Sequence, residues 1–180
     1  QIKINYYGPD HPEVVCALLR SANTCCILDE QEQRKSFLEQ ALHILENTDA
    51  SSEEDICPVL RDLIMVCQEL KNFHGAVFWI NKFLKVKDFS DEQDLLITML
   101  LRLTHALENL TLIKDAHTTC QKAYELSLQY HGEQHRKTLS LEQRLERLAN
   151  RIAALQGNYP KAAPAERAEE QTGPAALGLS

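Results

Sequence analysis

The chain has 180 residues, 44% apolar and 25% charged, an ordinary globular composition of single-domain length. Its formal charge of −7 argues against a nucleic-acid or anionic-membrane surface, and no apolar run reaches the roughly 20 residues that span a bilayer. Six glycines and six prolines leave the body short of helix breakers, since three of the prolines follow Tyr159. With no initiator methionine or secretory leader before Gln1, the expectation is an excised piece of a longer cytoplasmic protein.

Taken in order, the first amphipathic helix is predicted from about His11, with Asp10 able to cap it and Pro12 in the first turn, where a missing N–H costs nothing. Leu18, Ala22 and Cys25 form its apolar stripe. A turn at Asp29-Glu30 leads to a second helix over 31–46, with Phe37, Leu38, Ala41, Leu42 and Leu45 inward. The polar stretch 47–55 supplies N-cap residues and acids for the next helix, expected over 57–70. Lys71-Asn72 is the next turn, and 73–86 is the most apolar segment, as suits the middle of a stack. Ser90 and Asp91 can cap a helix over 92–108, and another follows over 113–130.

A last helix is expected over 133–155, with Leu141, Leu145, Leu148, Ile152 and Leu155 at 4-3-4-3 spacing. Two heptads fall short of a coiled coil, so it reads as a solvating terminal cap rather than a dimer seam. The segment 156–180 is rich in Ala, Pro and Glu, cannot repay its ordering entropy, and is expected to be a disordered tail.

The apolar skeleton repeats. Leu18 returns as Leu60 and Leu100, Leu38 as Ile80 and Cys120, and Ala41 as Phe83 and Ala123, in steps of 42 and then 40 residues. A third step of 42 carries Gly8-Pro9-Asp10-His11 onto Gly132-Glu133-Gln134-His135. Helix pairs sharing a period imply a stacked repeat, because one such unit cannot bury its apolar face alone. The organisation is thus a helical-repeat domain over 1–155, with repeats at about 6–47, 53–88 and 91–130 and a capping helix at 133–155.

These residues resemble the tetratricopeptide repeat. That family places a small residue in the middle of helix A and two more, seven apart, in helix B. Ala22 matches the first, Ala116 with Ala123 match the pair, and Ala41 and Ala76 each supply one member. The long period and the Tyr7-Gly8 to His11-Pro12 opening resemble the kinesin-light-chain subtype. The pattern is departed from at Ile64, Thr104, Arg34 and Phe83, and Leu19 and Arg20 stand where that subtype uses asparagines. What the resemblance implies is an all-α, right-handed α-solenoid of three hairpins and a general role in binding proteins.

Chemistry is sparse. His131 and His135 have the i, i+4 spacing that can hold zinc, but the glutamate is not adjacent to the first histidine as in H-E-x-x-H, and Gly132 is expected to put His131 ahead of the helix. Cys57, Cys67 and His74 lack a second ligand pair at finger-like spacing. Cys25 and Cys26 lack a partner histidine and an oxyanion site, and there is no phosphate-binding Gly-rich loop. The six cysteines show no C-x-x-C spacing and read as buried free thiols in a reducing compartment. Asn109-Leu110-Thr111 is a formal glycosylation sequon that carries little weight without a leader. No catalysis, cofactor or metal is expected.

In a stack of this kind the A helices line a concave wall, and residues off the core stripe become partner contacts. These are Leu19, Asn23 and Cys26 in repeat 1; Arg61, Met65 and Gln68 in repeat 2; and Leu101, His105 and Glu108 in repeat 3, with Arg20 and Arg102 beside them. Apolar Leu19, Met65 and Leu101 among arginines suit a short peptide or helix of another protein with apolar anchors and an acidic residue. The expected protein is a monomeric interaction module. The alternative is a C-terminal regulatory or dimerising region of a larger enzyme or signalling protein, meeting its partner through the seam in 133–155.

Overall fold

The computed structural model describes residues 11–48 and 51–157, and within them all regular structure is helical. Seven helices follow one another: α1 Pro12–Ile27, α2 Gln31–Glu46, α3 Glu53–Glu69, α4 Phe73–Val86, α5 Gln93–Asn109, α6 Ile113–His131 and α7 Arg136–Leu155. Each packs closely on the helix before it and the helix after it. The chain is therefore a solenoid of three hairpins plus a terminal helix, with α1, α3, α5 and α7 as A helices and α2, α4 and α6 as B helices.

The hairpin turns repeat to the residue. Asp29, Lys71 and Thr111 have φ of 60°, 54° and 61°, and they are separated by the same 42 and 40 residues as the apolar skeleton. In each turn the next residue's N–H closes a six-residue loop onto the helix just ended: Glu30 to Cys25, Asn72 to Cys67 and Leu112 to Leu107, at 2.8–3.0 Å. One left-handed residue thus ends each A helix and reverses the chain. The α1 and α7 starts also match. His11 and His135 each accept a backbone N–H, from Glu13 and Lys137, through Nδ1. Histidine does the capping at the first; the expected cap, Asp10, lies outside the described residues, as does the tail from residue 158 on.

Three boundaries differ from expectation. α3 starts four residues early, because the N–H and hydroxyl of Ser52 both donate to Asp55, at 2.9 and 2.8 Å, and hold a capped first turn. Pro58 consequently sits inside the helix, and Cys57 is helical and buried. Glu92, not Ser90 or Asp91, is the residue ahead of α5, because the Ser90 N–H and hydroxyl are turned onto Asp88. α6 runs on through His131 and ends at Gly132, φ 87°, so α7 begins only at Arg136 and His131 belongs to the preceding helix.

The core is one long cluster through repeats 2 and 3 and the cap, joined by Ala22, Leu38 and Leu42 of repeat 1. A separate small cluster of Val14, Val15, Leu18, Ala41 and Ile44 fills the far end of the first hairpin. Small residues form a further cluster: Ala76, Ala106 and Cys67 are fully buried together. On α7, Leu141 and Leu148 are buried and Leu145 and Ile152 pack against the core, leaving Leu155 as the exposed member of the stripe. Glu142 and Glu146, in register with Leu18 and Ala22, face solvent. The apolar stripe of α7 is spent within the chain.

Candidate interaction groove

α3 and α5 do not pack closely, and a trough of about 370 Å³ lies between them. Arg61, Asp62, Ile64 and Met65 line it from α3, and Leu95, Thr98, Met99 and Arg102 from α5. The i, i+4, i+7 spacing of Leu95, Met99 and Arg102 brings them to one helix face. Both methionines of the chain are here. A thioether on an unbranched stem fits varied apolar shapes, which suits a wall that meets other molecules.

The charges are held unequally. Arg102 donates to the Gln68 side chain, which ties α5 to α3 at one end of the trough. Asp62 faces the buried Arg34 of α2 at 3.9 Å, and Glu69 meets the same guanidinium at 3.5 Å. Arg61 is exposed and borders both the trough and a smaller recess beside Glu53, Lys87 and Glu92.

The tie between A helices recurs one step on. Arg144 of α7 and Glu108 of α5 stand in register with Arg102 and Gln68, and Arg144 Nε lies 3.0 Å from Glu108 Oε1. The two atoms are buried but poorly aligned for a hydrogen bond, so their attraction is chiefly Coulombic. At the first junction the matching residues are Cys26 and Asp62, and Arg34 replaces the tie from the B helix.

The expected contact residues therefore divide. Arg61, Met65 and Arg102 line the trough, with Gln68 at its end bonded to Arg102. Leu19 lies in a second recess of about 290 Å³ between the first two repeats, with Val15, Cys16, Leu45, Thr48, Ser51 and Asp55. Arg20, Asn23 and Cys26 are exposed on α1 and do not border the trough. Leu101 is partly buried against the main core. His105 is exposed, its ring edge-on to Phe73 at 6.0 Å, and Glu108 is engaged by Arg144. Sequence reasoning missed Asp62, Ile64, Leu95, Thr98 and Met99. The stripe of Leu95, Met99 and Arg102 was visible, but Met99 is 5% exposed and reads as core.

Among the described residues no group of three or more His, Cys, Asp or Glu is placed to hold a metal ion. The rings of His131 and His135 stack in parallel at 4.1 Å instead of converging, and His131 bonds Asp94 at 2.9 Å. Cys25, Cys57, Cys67 and Cys120 are buried, while Cys16 and Cys26 are exposed, so the expectation of buried thiols holds for four of six. Burial pushes the Cys120 thiol up to about 11 and also raises Cys57 and Cys67, which keeps them protonated and unreactive. No helix among the described residues is long and apolar enough to cross a membrane.

No protein-family profile matches the chain, and no curated protein does. Among solved structures, the crystal structure of BtubC (BKLC) from P. vanneervenii is similar over 76% of this chain, with a TM-score of 0.58 and 15% identity. The chain spans 55% of that protein's length. At this identity the likeness speaks to the fold alone, an all-helical solenoid of hairpins.

Proposed function

We propose that the protein is a non-catalytic interaction module of kinesin-light-chain-like repeat type, and that the trough between α3 and α5 receives a peptide or helix of another protein. One observation carries the reading: in a chain of net charge −7, two guanidinium groups and both methionines converge on one open trough. The proposed occupant pairs an acidic side chain with Arg61, whose guanidinium is the more exposed of the two, and lays an apolar one on Met65 and Met99. The carboxylate gains a charge-assisted bond, and the apolar side chain gains a floor shielded from water. Arg102, already bonded to Gln68, sets the shape of the site and adds positive field. Leu19, in the separate recess beside repeat 1, offers a second apolar contact, and a cytoplasmic setting fits the free thiols.

Selection of binders from a random dodecapeptide library tests this. Recovered peptides are expected to combine acidic and large apolar residues, to move both methionine methyl NMR signals, and to lose at least tenfold in affinity against Arg61→Glu/Arg102→Glu. Peptides that bind the double variant equally well, with helical circular dichroism intact, would reject the trough as the binding site.

A further inference from the structure

The trough has a second half. Arg61 and Leu95 line both it and the adjoining recess of about 230 Å³, so the two are parts of one furrow between α3 and α5. The furrow opens at the starts of both helices, where Glu53, Glu54 and Glu92 border it, and closes at Met65 and Arg102. Acids suit the first turn of any helix, where they meet its dipole. Here three of them also share a furrow with two guanidinium groups, and the two signs are sorted to opposite ends.

Each end holds one charge of the other sign, and both are already engaged. Lys87 is clasped between Glu53 at 2.8 Å and Glu92 at 2.7 Å, while Asp62 faces the buried Arg34 at 3.9 Å. One ammonium thus serves two carboxylates, and Glu54 is left exposed with no ion pair among the described residues. Asp88, whose N–H donates to Glu53 at 3.2 Å, adds a further negative charge beside this end. Glu54 and Arg61 stand seven residues apart on α3. That is about 10 Å along the helix, close to the screening length at physiological salt, so the two poles act separately.

We propose that the occupant of the furrow is a peptide segment of two signs, with a basic residue on the Glu54 side and its acidic residue on the Arg61–Arg102 side. This rests on the reading of the trough as a binding site and supplies the other half of what it recognises. A lysine or arginine there lays its methylene stem on the exposed Pro58 and brings its charge to Glu54. A segment lying the other way sets acid against Glu54 and base against Arg61. The furrow therefore also fixes the direction of its occupant.

The dodecapeptides selected on the full chain test it. Each is expected to carry a lysine or arginine besides its acidic residue, and replacing that base by alanine is expected to weaken binding about fivefold. Against Glu54→Gln the same replacement is expected to cost less than about twofold, because the base has already lost its partner. Glu54→Lys is expected to weaken the unaltered peptide about fivefold or more, and a peptide with glutamate in place of the base is expected to recover the loss. Glu32→Lys, the same charge change on an exposed residue of α2 outside the furrow, is expected to leave affinity unchanged. Circular dichroism checks the fold, and Glu54→Gln carries the test should Glu54→Lys unfold α3. Binders without a basic residue would overturn the proposal, as would a base whose removal costs the same in both proteins, while Arg61→Glu/Arg102→Glu still weakens binding. Equal binding by that arginine variant would remove the trough itself, and the proposal with it.

Discussion

At the scale of single residues, the three turn positions use three different side chains for one backbone state. Aspartate tolerates the left-handed region through local hydrogen bonding, lysine less well, and the β-branched Thr111 least of all. Thr111→Gly removes roughly 1–2 kcal/mol of left-handed strain and gives back about 0.5–1 kcal/mol in unfolded-chain entropy. The expected net gain is about 0.5–1 kcal/mol, read from the midpoint of urea unfolding. An unchanged or lower midpoint would show that the threonine is not strained there.

At the scale of helices, α7 separates side chains that the sequence presents as one stripe. Leu148 is 1% exposed and Leu155 is 75% exposed. Leu148→Ala is expected to cost about 2–5 kcal/mol, and Leu155→Ala to stay within about 0.5 kcal/mol. Light scattering of both variants and of the unchanged chain is expected to give a monomer mass that survives dilution; a dimer mass lost in Leu155→Ala would restore the seam as an interface. Much of this level was legible beforehand. Periodicity located all seven helices, because burial of Leu18, Leu60 and Leu100 in one register leaves a pattern visible without coordinates. The starts of α3, α5 and α7 were less legible, since they depend on which of several adjacent polar groups wins a backbone N–H. Ser52 with Asp55, and His135 with Lys137, settle that by geometry rather than by residue type. The trough was half legible. Arg61, Met65 and Arg102 follow from helix spacing, but Glu108 looks free until Arg144, 36 residues on, is seen against it.

At the scale of the whole molecule, charge pairs at the junctions make stability depend on pH. Bonds from Lys87, and from the Asp88 N–H, hold the Glu53 carboxyl below its ordinary value, and Lys137 does the same for Asp94. A lowered acid stabilises the fold above its unfolded pKa and loses that contribution as pH falls through its folded one. The melting temperature is therefore expected to hold steady near neutrality and to fall below about pH 4.5, where carboxylates begin to take up protons. Lys87→Leu should start from a lower plateau and lose less on acidification. Parallel curves for the two proteins would show that the Lys87 clasp contributes nothing to the fold.

Helices whose close packing is with the ones flanking them also determine how the protein responds to tension. Among the described residues α1 is not packed closely against α7, so in an optical trap load between the two passes through the junctions in series. The weakest should part first. The expected trace is a staircase, each step the length of one helix pair. A spring of this sort gives way in stages and recoils, keeping some hairpins folded while others yield.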